Sequence, residues 1–344
     1  MKLIASPLNL TLRHTFSTSR SSSSIAANVQ VSIKHGKRTG LGEAAPIKFY
    51  GQSQDTCIQA LALMGQSLAA REPFELDAIL SNLKTRFHKE PSALAAIDMA
   101  LHDLIGKSLG IPLWKYWGLD KTKAPQTSFT IGIDTIEKVA AKVQEARRFP
   151  VLKIKVGGAN DLEVMYEVRR LAPNKILRVD ANCGWTVKEA IVKAKVLEKL
   201  GVEFIEQPVP PGRNAALKRI KNRIGVPLMT DESSLVPEDI PALRGCADGI
   251  NIKLVKCGGL REAYKMICTA RSCGLKIMLG CMIESSILIT AAAQLAPLVD
   301  YADLDGNLLI SDDPFCGVKI DVNAKLILPD GPGLGIAPPG PTGK

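Results

Sequence analysis

Three acids stand out by their neighbours: Asp180 in RVDAN, Glu206 in FIEQP and Asp231 in TDESS each close a short apolar run, at spacings of 26 and 25 residues. If the runs are adjacent parallel strands, their carboxylates meet at one end of the sheet, and such a cluster needs a cation. Oxygen donors at that density select a hard ion, and a site that keeps room for substrate oxygens points to magnesium. Taken singly, each acid is as well explained as a helix N-cap following its strand. Three in one register favour the metal.

Two lysines accompany the acids. Lys153 and Lys155 in LKIKVG are two apart on an extended segment, so both face one side. Beneath a helix layer they would lack partners, which makes the inner rim of a barrel the expected place. Positive charge from Lys153 and the metal would lower the basicity of Lys155 toward neutrality, as a general base requires. Lys253 in NIKLVKCGG closes the run 22 residues after Asp231 and is the candidate for a second base. Lys256 competes for that role, but it has the opposite strand parity and precedes Gly258 and Gly259, which suits a loop. The histidines, His14, His35, His88 and His102, all fall in the first third, so histidine acid/base chemistry and histidine-ligated zinc are disfavoured.

The elements that must carry these groups follow from the same spacing. Lys155, Asp180, Glu206, Asp231 and Lys253 succeed one another at 25, 26, 25 and 22 residues, and the gap of 50 to Asp303 hides one unit whose strand ends near Gly280. Repeating βα units of that length predict a modified (β/α)8 TIM-type barrel over residues 121–315, with strand-end residues converging on one rim. No Gly-rich phosphate turn supports the rival open sheet. Strands two and six of such a ring stand opposite each other, so Lys155 and Lys253 would flank a substrate from two faces.

The first third reads differently. Residues 26–34 alternate like a strand, KRTGLGE at 37–43 supplies turn residues before a second extended piece, and Leu94, Ile97, Leu101 and Leu104 recur at helical spacing. An α+β capping domain over residues 1–120 is expected, with the Pro- and Gly-rich tail of about 316–344 packing back on it.

Composition narrows the function classes. The net charge of +10 comes from 44 basic residues scattered among 34 acidic ones, without a basic block, so no nucleic-acid partner is expected. The longest apolar stretch, 277–299, is interrupted by Glu284, Ser285, Ser286 and Gln294, which argues against a membrane span. Eight cysteines without a CxxC pair suit reduced thiols and a cytoplasmic protein, and nothing stands against a homo-oligomer.

In this order and spacing, KIK, DAN, EQP, DES and NIKLVKCGG, with GLGEAAP near residue 40 and PGLGI near the end, resemble the enolase superfamily and specifically its muconate-lactonizing-enzyme subgroup. The resemblance implies Mg2+ held by Asp180, Glu206 and Asp231, acid/base roles for Lys155 and Lys253, an electrostatic one for Lys153, and an enediolate formed by loss of a proton beside a carboxylate. Asp303 and Asp305 in YADLDG are similar to the paired acids with which dipeptide epimerases hold the substrate's α-ammonium. Epimerisation of the second residue of a dipeptide, L-Ala-D/L-Glu being the familiar example, is the reaction implied. Muconate cycloisomerase and o-succinylbenzoate synthase, which have no ammonium to bind, are the alternatives. Arg20 in FSTSRSSSS offers a cation for an acidic side chain, though it lies one residue from where glutamate-selective relatives place theirs, with Ser21 at that place. The serine run Ser21–Ser24 suits a flexible lid, and Cys281, Met282, Ile283 and Glu284 are expected to line the side-chain pocket.

Overall fold

The computed structural model describes residues 1–338; the end of the expected tail, 339–344, lies outside the described residues. The chain opens with a three-stranded antiparallel sheet in the order β1 (Lys2–Ser17), β2 (Ser22–His35), β3 (Arg38–Ala44). The sixteen-residue β1 was not foreseen from sequence. The expected turn over 37–43 is also corrected: the reversal takes only Gly36, whose φ of 58° is left-handed, and Lys37, and Arg38 onward pairs with β2. Nor is the serine run a loose lid, because Ser22, Ser23 and Ser24 belong to β2 and only Ser21 stays in the turn.

Helices α1 (Gln54–Leu68), α2 (Leu76–Phe87) and α3 (Pro91–Leu109) complete the first layer, followed by the short α4 (Leu113–Tyr116). Local signals set their ends. Ser53 and Thr56 form a capping box before α1, while α3 starts on Pro91 and stops at Gly110 with φ 72°. Leu94, Ile97, Leu101 and Leu104 of α3 are all buried, as their spacing predicts. They share an apolar cluster with Val29, Val31 and Ile33 of β2 and Leu61 and Met64 of α1.

Eight parallel strands follow: β4 (Phe129–Ile131), β5 (Val151–Lys155), β6 (Ile176–Asp180), β7 (Val202–Glu206), β8 (Leu228–Thr230), β9 (Gly249–Ile252), β10 (Lys276–Gly280) and β11 (Tyr301–Asp303). They are hydrogen-bonded in sequence order, and a bridge from Thr127 to Ala302 joins the last strand to the first. The covering helices are α5 (Ile136–Glu145), α6 (Asp161–Leu171), α7 (Val187–Lys199), α8 (Asn214–Lys221), α9 (Leu254–Cys257), α10 (Leu260–Ser272) and α11 (Ser286–Ala293). The ring is modified at two places, since β8 is followed by a 3-10 stretch, Pro237–Leu243, and β11 by Gly306–Leu308. A second, larger apolar cluster lies between strands and helices.

The two layers meet along α3. Asp98 accepts from Leu260 N at the start of α10 at 2.8 Å, and buried His102 lies 3.1 Å from Asp98 and stacks on Trp117, a structural use of that histidine. Tail residue Leu334 donates its backbone N–H to Asp103 of α3 and accepts from Gln294 just after α11. Among the described residues no helix is long and apolar enough to cross a membrane.

Candidate active site

Every residue of β5 is buried, and strand alternation turns Lys153 and Lys155 to the same, inner side. The parallel register then aligns Lys155 with Asp180 and Asp180 with Glu206, while Asp231 stands one residue beyond β8. Lys155 Nζ donates to Asp180 Oδ2 at 2.6 Å. Lys153 Nζ reaches three acids at once: Glu206 Oε2 at 2.7 Å, Asp303 Oδ2 at 2.7 Å and Asp180 Oδ2 at 3.2 Å. Burial works against the Lys153 charge, yet Asp303, Glu206 and Asp180 together hold its ammonium well above the ordinary lysine range. Asp303 is therefore one ammonium away from the candidate metal ligands.

The three carboxylates share a pattern that suits a cation. One oxygen of each is anchored from outside: Asp180 Oδ1 accepts Asn182 N at 2.9 Å, Glu206 Oε1 accepts Asn251 Nδ2 at 2.7 Å, and Asp231 Oδ1 is held by Lys256 Nζ. The other oxygen of each meets the lysines, Lys153 for Asp180 and Glu206, and Lys253 for Asp231 at 3.1 Å. Among the described residues no three such side chains are already closed to the spacing of a metal cage, because ammonium groups stand between the acids. Charge is nevertheless short of balance. Burial, reinforced by Asp180, pushes the Glu206 carboxyl up to about 7, whereas Lys155 and Lys153 overcome burial to hold Asp180 low. A hard divalent ion fits this donor set and this deficit.

The structure separates the two lysines that sequence left in competition. Lys253 follows β9 and its ammonium points at Asp231 Oδ2 and the Met282 sulfur, 3.9 Å away. Lys256 sits on α9 and turns to the outer side of Asp231, donating also to the Asp231 carbonyl at 2.8 Å. One carboxylate thus has a lysine on each oxygen, and Lys253 alone of the two faces the ring. Against burial, Asp231 holds the Lys253 ammonium above its ordinary range.

Three amides escaped the sequence reading as functional residues, although each lies inside a quoted motif. Asn182 of DAN and Asn251 of NIK anchor Asp180 and Glu206. Gln207 of EQP, at a left-handed φ of 35°, accepts Asp231 N at 2.9 Å and Ser233 N at 3.1 Å. The available signal was an Asn or Gln one or two residues from a charged strand end, able to fix its neighbour's backbone.

Asp303 and Asp305 both face inward. Asp303 Oδ1 accepts Ser128 Oγ at 2.5 Å, Asp305 Oδ2 accepts Thr130 N at 2.5 Å, and Asp305 Oδ1 lies 3.8 Å from Cys281 Sγ. Burial, then the Asp303 charge, push the Asp305 carboxyl up to about 7. Two acids in one buried corner with so little cation between them ask for another.

The expected pocket wall is half corrected. Cys281 and Met282 stand at the site, but Ile283 packs into the cluster of Leu8, Leu10 and Ile310 under the β1–β2 hairpin. Glu284 folds back so that Oε1 accepts Met282 N at 2.8 Å, leaving Oε2 buried without a partner. A side chain inserted into a turn cannot also point outward.

Arg20 covers the mouth from the hairpin turn. Its guanidinium pairs with Glu232 Oε1 at 2.6 Å and lies over the Phe49 ring, 4.3 Å from the centroid. Ser19 Oγ donates to Asn182 O, and an added Cβ on Gly157, whose φ is 114°, would lie 2.8 Å from the Ser19 Cβ. The hairpin rests on the barrel loops, and the Arg20 charge is already matched. A cavity of about 860 Å3 lies between the cap helices and α10, with Lys256 among its lining residues. Its Lys84 and Lys265 are paired with Glu262, and its Arg261 with Asp77.

Comparison with known proteins agrees with this arrangement. Residues 3–118 match the model of the mandelate racemase / muconate lactonizing enzyme N-terminal domain, and residues 135–340 that of the enolase C-terminal domain-like family. The sequence is 43% identical over 338 residues to the L-Ala-D/L-Glu epimerase of Bacteroides thetaiotaomicron, covering 98% of this chain and 88% of that protein. It is 37% identical over 338 residues to the L-Ala-D/L-amino acid epimerase of a Maribacter species, covering 98% and 99%. The crystal structure of the dipeptide epimerase of Cytophaga hutchinsonii, complexed with Mg and the dipeptide D-Ala-L-Val, superposes with a TM-score of 0.94 at 28% identity, covering 98% of this chain and 95% of that one.

Proposed function

Because this chain belongs to the mandelate racemase / muconate lactonizing enzyme family of the enolase superfamily, we propose that it is a magnesium-dependent dipeptide epimerase inverting the α-carbon of the second residue. The observation that carries the reading is the ring of charge itself. Lys155 on the second barrel strand and Lys253 after the sixth stand four strands apart in an eight-stranded ring, with Asp180, Glu206 and Asp231 between them and Asp303 and Asp305 at its closing strand.

Each group has a task that its position suits. Asp180, Glu206 and Asp231 hold magnesium, which when bound supplies Lewis-acid stabilisation of the charge that develops on the substrate carboxylate. An Asp231 engaged with a cation would give less support to the Lys253 ammonium, which would then yield its proton more readily. Lys155 removes or returns the α-proton on one face and Lys253 does so on the other. Lys153 supplies fixed positive charge among the acids, and Asp303 with Asp305 receives the α-ammonium. A cycloisomerase or o-succinylbenzoate synthase gives that pair of acids no partner.

For the second side chain we propose a range wider than glutamate, since Arg20 already has Glu232 as its partner at 2.6 Å. We place the enzyme in the cytoplasm, a reading supported by its eight cysteines all being free thiols. With Mg2+ in heavy water, L-Ala-L-Glu and related dipeptides are expected to gain deuterium at the second α-carbon and to stop doing so on chelation. A broad dipeptide library that gains none rejects the proposal.

A further inference from the structure

One motif of the resemblance, GLGEAAP, contributes nothing to the ring of charge, yet it contains the fully buried Glu43. The alternation of β3 explains its direction. Gly40 and Gly42 lie against α3, where an added Cβ would collide with the Ala100 and Ala96 carbonyls, so Glu43 is turned the opposite way, toward the barrel.

There each oxygen of its carboxylate accepts from donors, with the Glu284 carboxyl also within electrostatic reach. Glu43 Oε1 accepts Asn28 Nδ2 at 2.7 Å and Ser285 N at 3.0 Å, and Oε2 accepts Ser285 Oγ at 2.6 Å and Leu288 N at 3.3 Å. A buried carboxylate satisfied entirely by N–H and O–H groups is a rigid anchor, because losing any donor leaves charge unsolvated. Asn28 continues the clamp, its Nδ2 donating also to Ile283 O at 3.0 Å.

Apart from the bond to Leu288 N in α11, these contacts hold Ile283 and Ser285 of the segment Cys281–Ser285. The cap grips it at Ile283 O through Asn28, at the Ile283 side chain through Leu8 and Leu10, and at Ser285 through Glu43. The residues immediately before these grips are Cys281, 3.8 Å from Asp305, and Met282, 3.9 Å from Lys253. They form the wall between the acids that would receive the ammonium and the lysine that would work on the α-carbon. With its ammonium at Asp303 and Asp305, the first residue of a dipeptide would have this wall as a neighbour of its side chain.

We propose that Glu43 and Asn28 are positioning residues: from the capping layer they set where the Cys281–Met282 wall stands, and so which first-residue side chains the site accepts. The proposal rests on the dipeptide epimerase reading. Its test is the ratio of kcat/KM values over a panel with one fixed second residue and Gly, L-Ala, L-Val or L-Leu first, for wild type, Glu43→Gln and the milder Asn28→Ala. Displacing the wall by a methyl group's width should change discrimination among first residues by about tenfold or more. Mn2+ affinity, followed by electron paramagnetic resonance without any dipeptide, should stay as in the wild type. Equal losses across the panel, unchanged kcat/KM ratios among the first residues, or failure of both variants to fold overturns the proposal. A wild-type chain inactive on the whole panel rejects the epimerase reading instead, and the two failures are thereby told apart.

Discussion

Asp303→Asn is the sharpest probe of the site, because it removes one charge and almost no volume. The Asp303 carboxylate is 4% exposed, so water does little to replace what the substitution takes away. Lys153 keeps Glu206 at 2.7 Å and Asp180 at 3.2 Å, and the amide oxygen of the variant side chain can still accept from Ser128, so the internal network keeps most of its links. A substrate ammonium fares worse, since one of its two counter-charges disappears and only Asp305 remains. Truncating one partner of a buried, hydrogen-bonded charge pair costs about 2–5 kcal/mol, or roughly 30-fold to several thousandfold in kcat/KM. The assay compares L-Ala-L-Glu with its N-acetyl derivative, which carries no ammonium, by deuterium incorporation under Mg2+. Loss through Lys153 falls on both substrates alike, whereas loss through the ammonium falls on the free amine alone. The wild-type preference for the free amine should therefore shrink by at least about tenfold in the variant. Parallel losses on the two substrates would refute the ammonium assignment and leave Asp303 acting only through Lys153.

Two further outcomes follow from the same geometry. Lys155→Ala and Lys253→Ala should each suppress α-proton exchange from one epimer about a hundredfold or more beyond the other, while Lys256→Ala, whose ammonium faces the outer side of Asp231, should slow both epimers alike. Wild-type exchange from both epimers in either of the first two variants contradicts the two-base arrangement. Glu284 makes a prediction about stability: burial, with Glu43 adding to it, raises its carboxyl from an ordinary 4.5 to about 8. A raised carboxyl stabilises the fold at low pH and loses that contribution as pH rises through the interval, because the unfolded chain gives up a proton the folded chain retains. Stability should fall on the order of 4 kcal/mol between about pH 5 and pH 8, and Glu284→Gln should flatten the slope in urea denaturation. Parallel curves for the two proteins would contradict it.

What sequence alone decided is what depends on backbone period. Strand parity put Lys153 and Lys155 on one side, the 22–26-residue repeat of charged strand ends gave the ring, and both are local properties that any extended segment or βα unit imposes. The same logic read α3 from four leucines and isoleucines. It missed β1, although Leu8, Leu10 and Leu12 are buried in strict alternation with exposed Asn9 and Thr11; its flanking residues are mostly exposed, and the whole length is strand by pairing with β2. Tertiary structure alone decided which oxygen meets which cation. Lys153 joins Asp303 across 150 positions, Arg20 gives its charge to Glu232, Lys256 takes the outside of Asp231, and Ile283 turns into the capping layer. None of these has a period to read, because each is fixed by where a closed ring and the sheet laid over it bring distant chain ends together, and burial then makes every pairing costly to exchange.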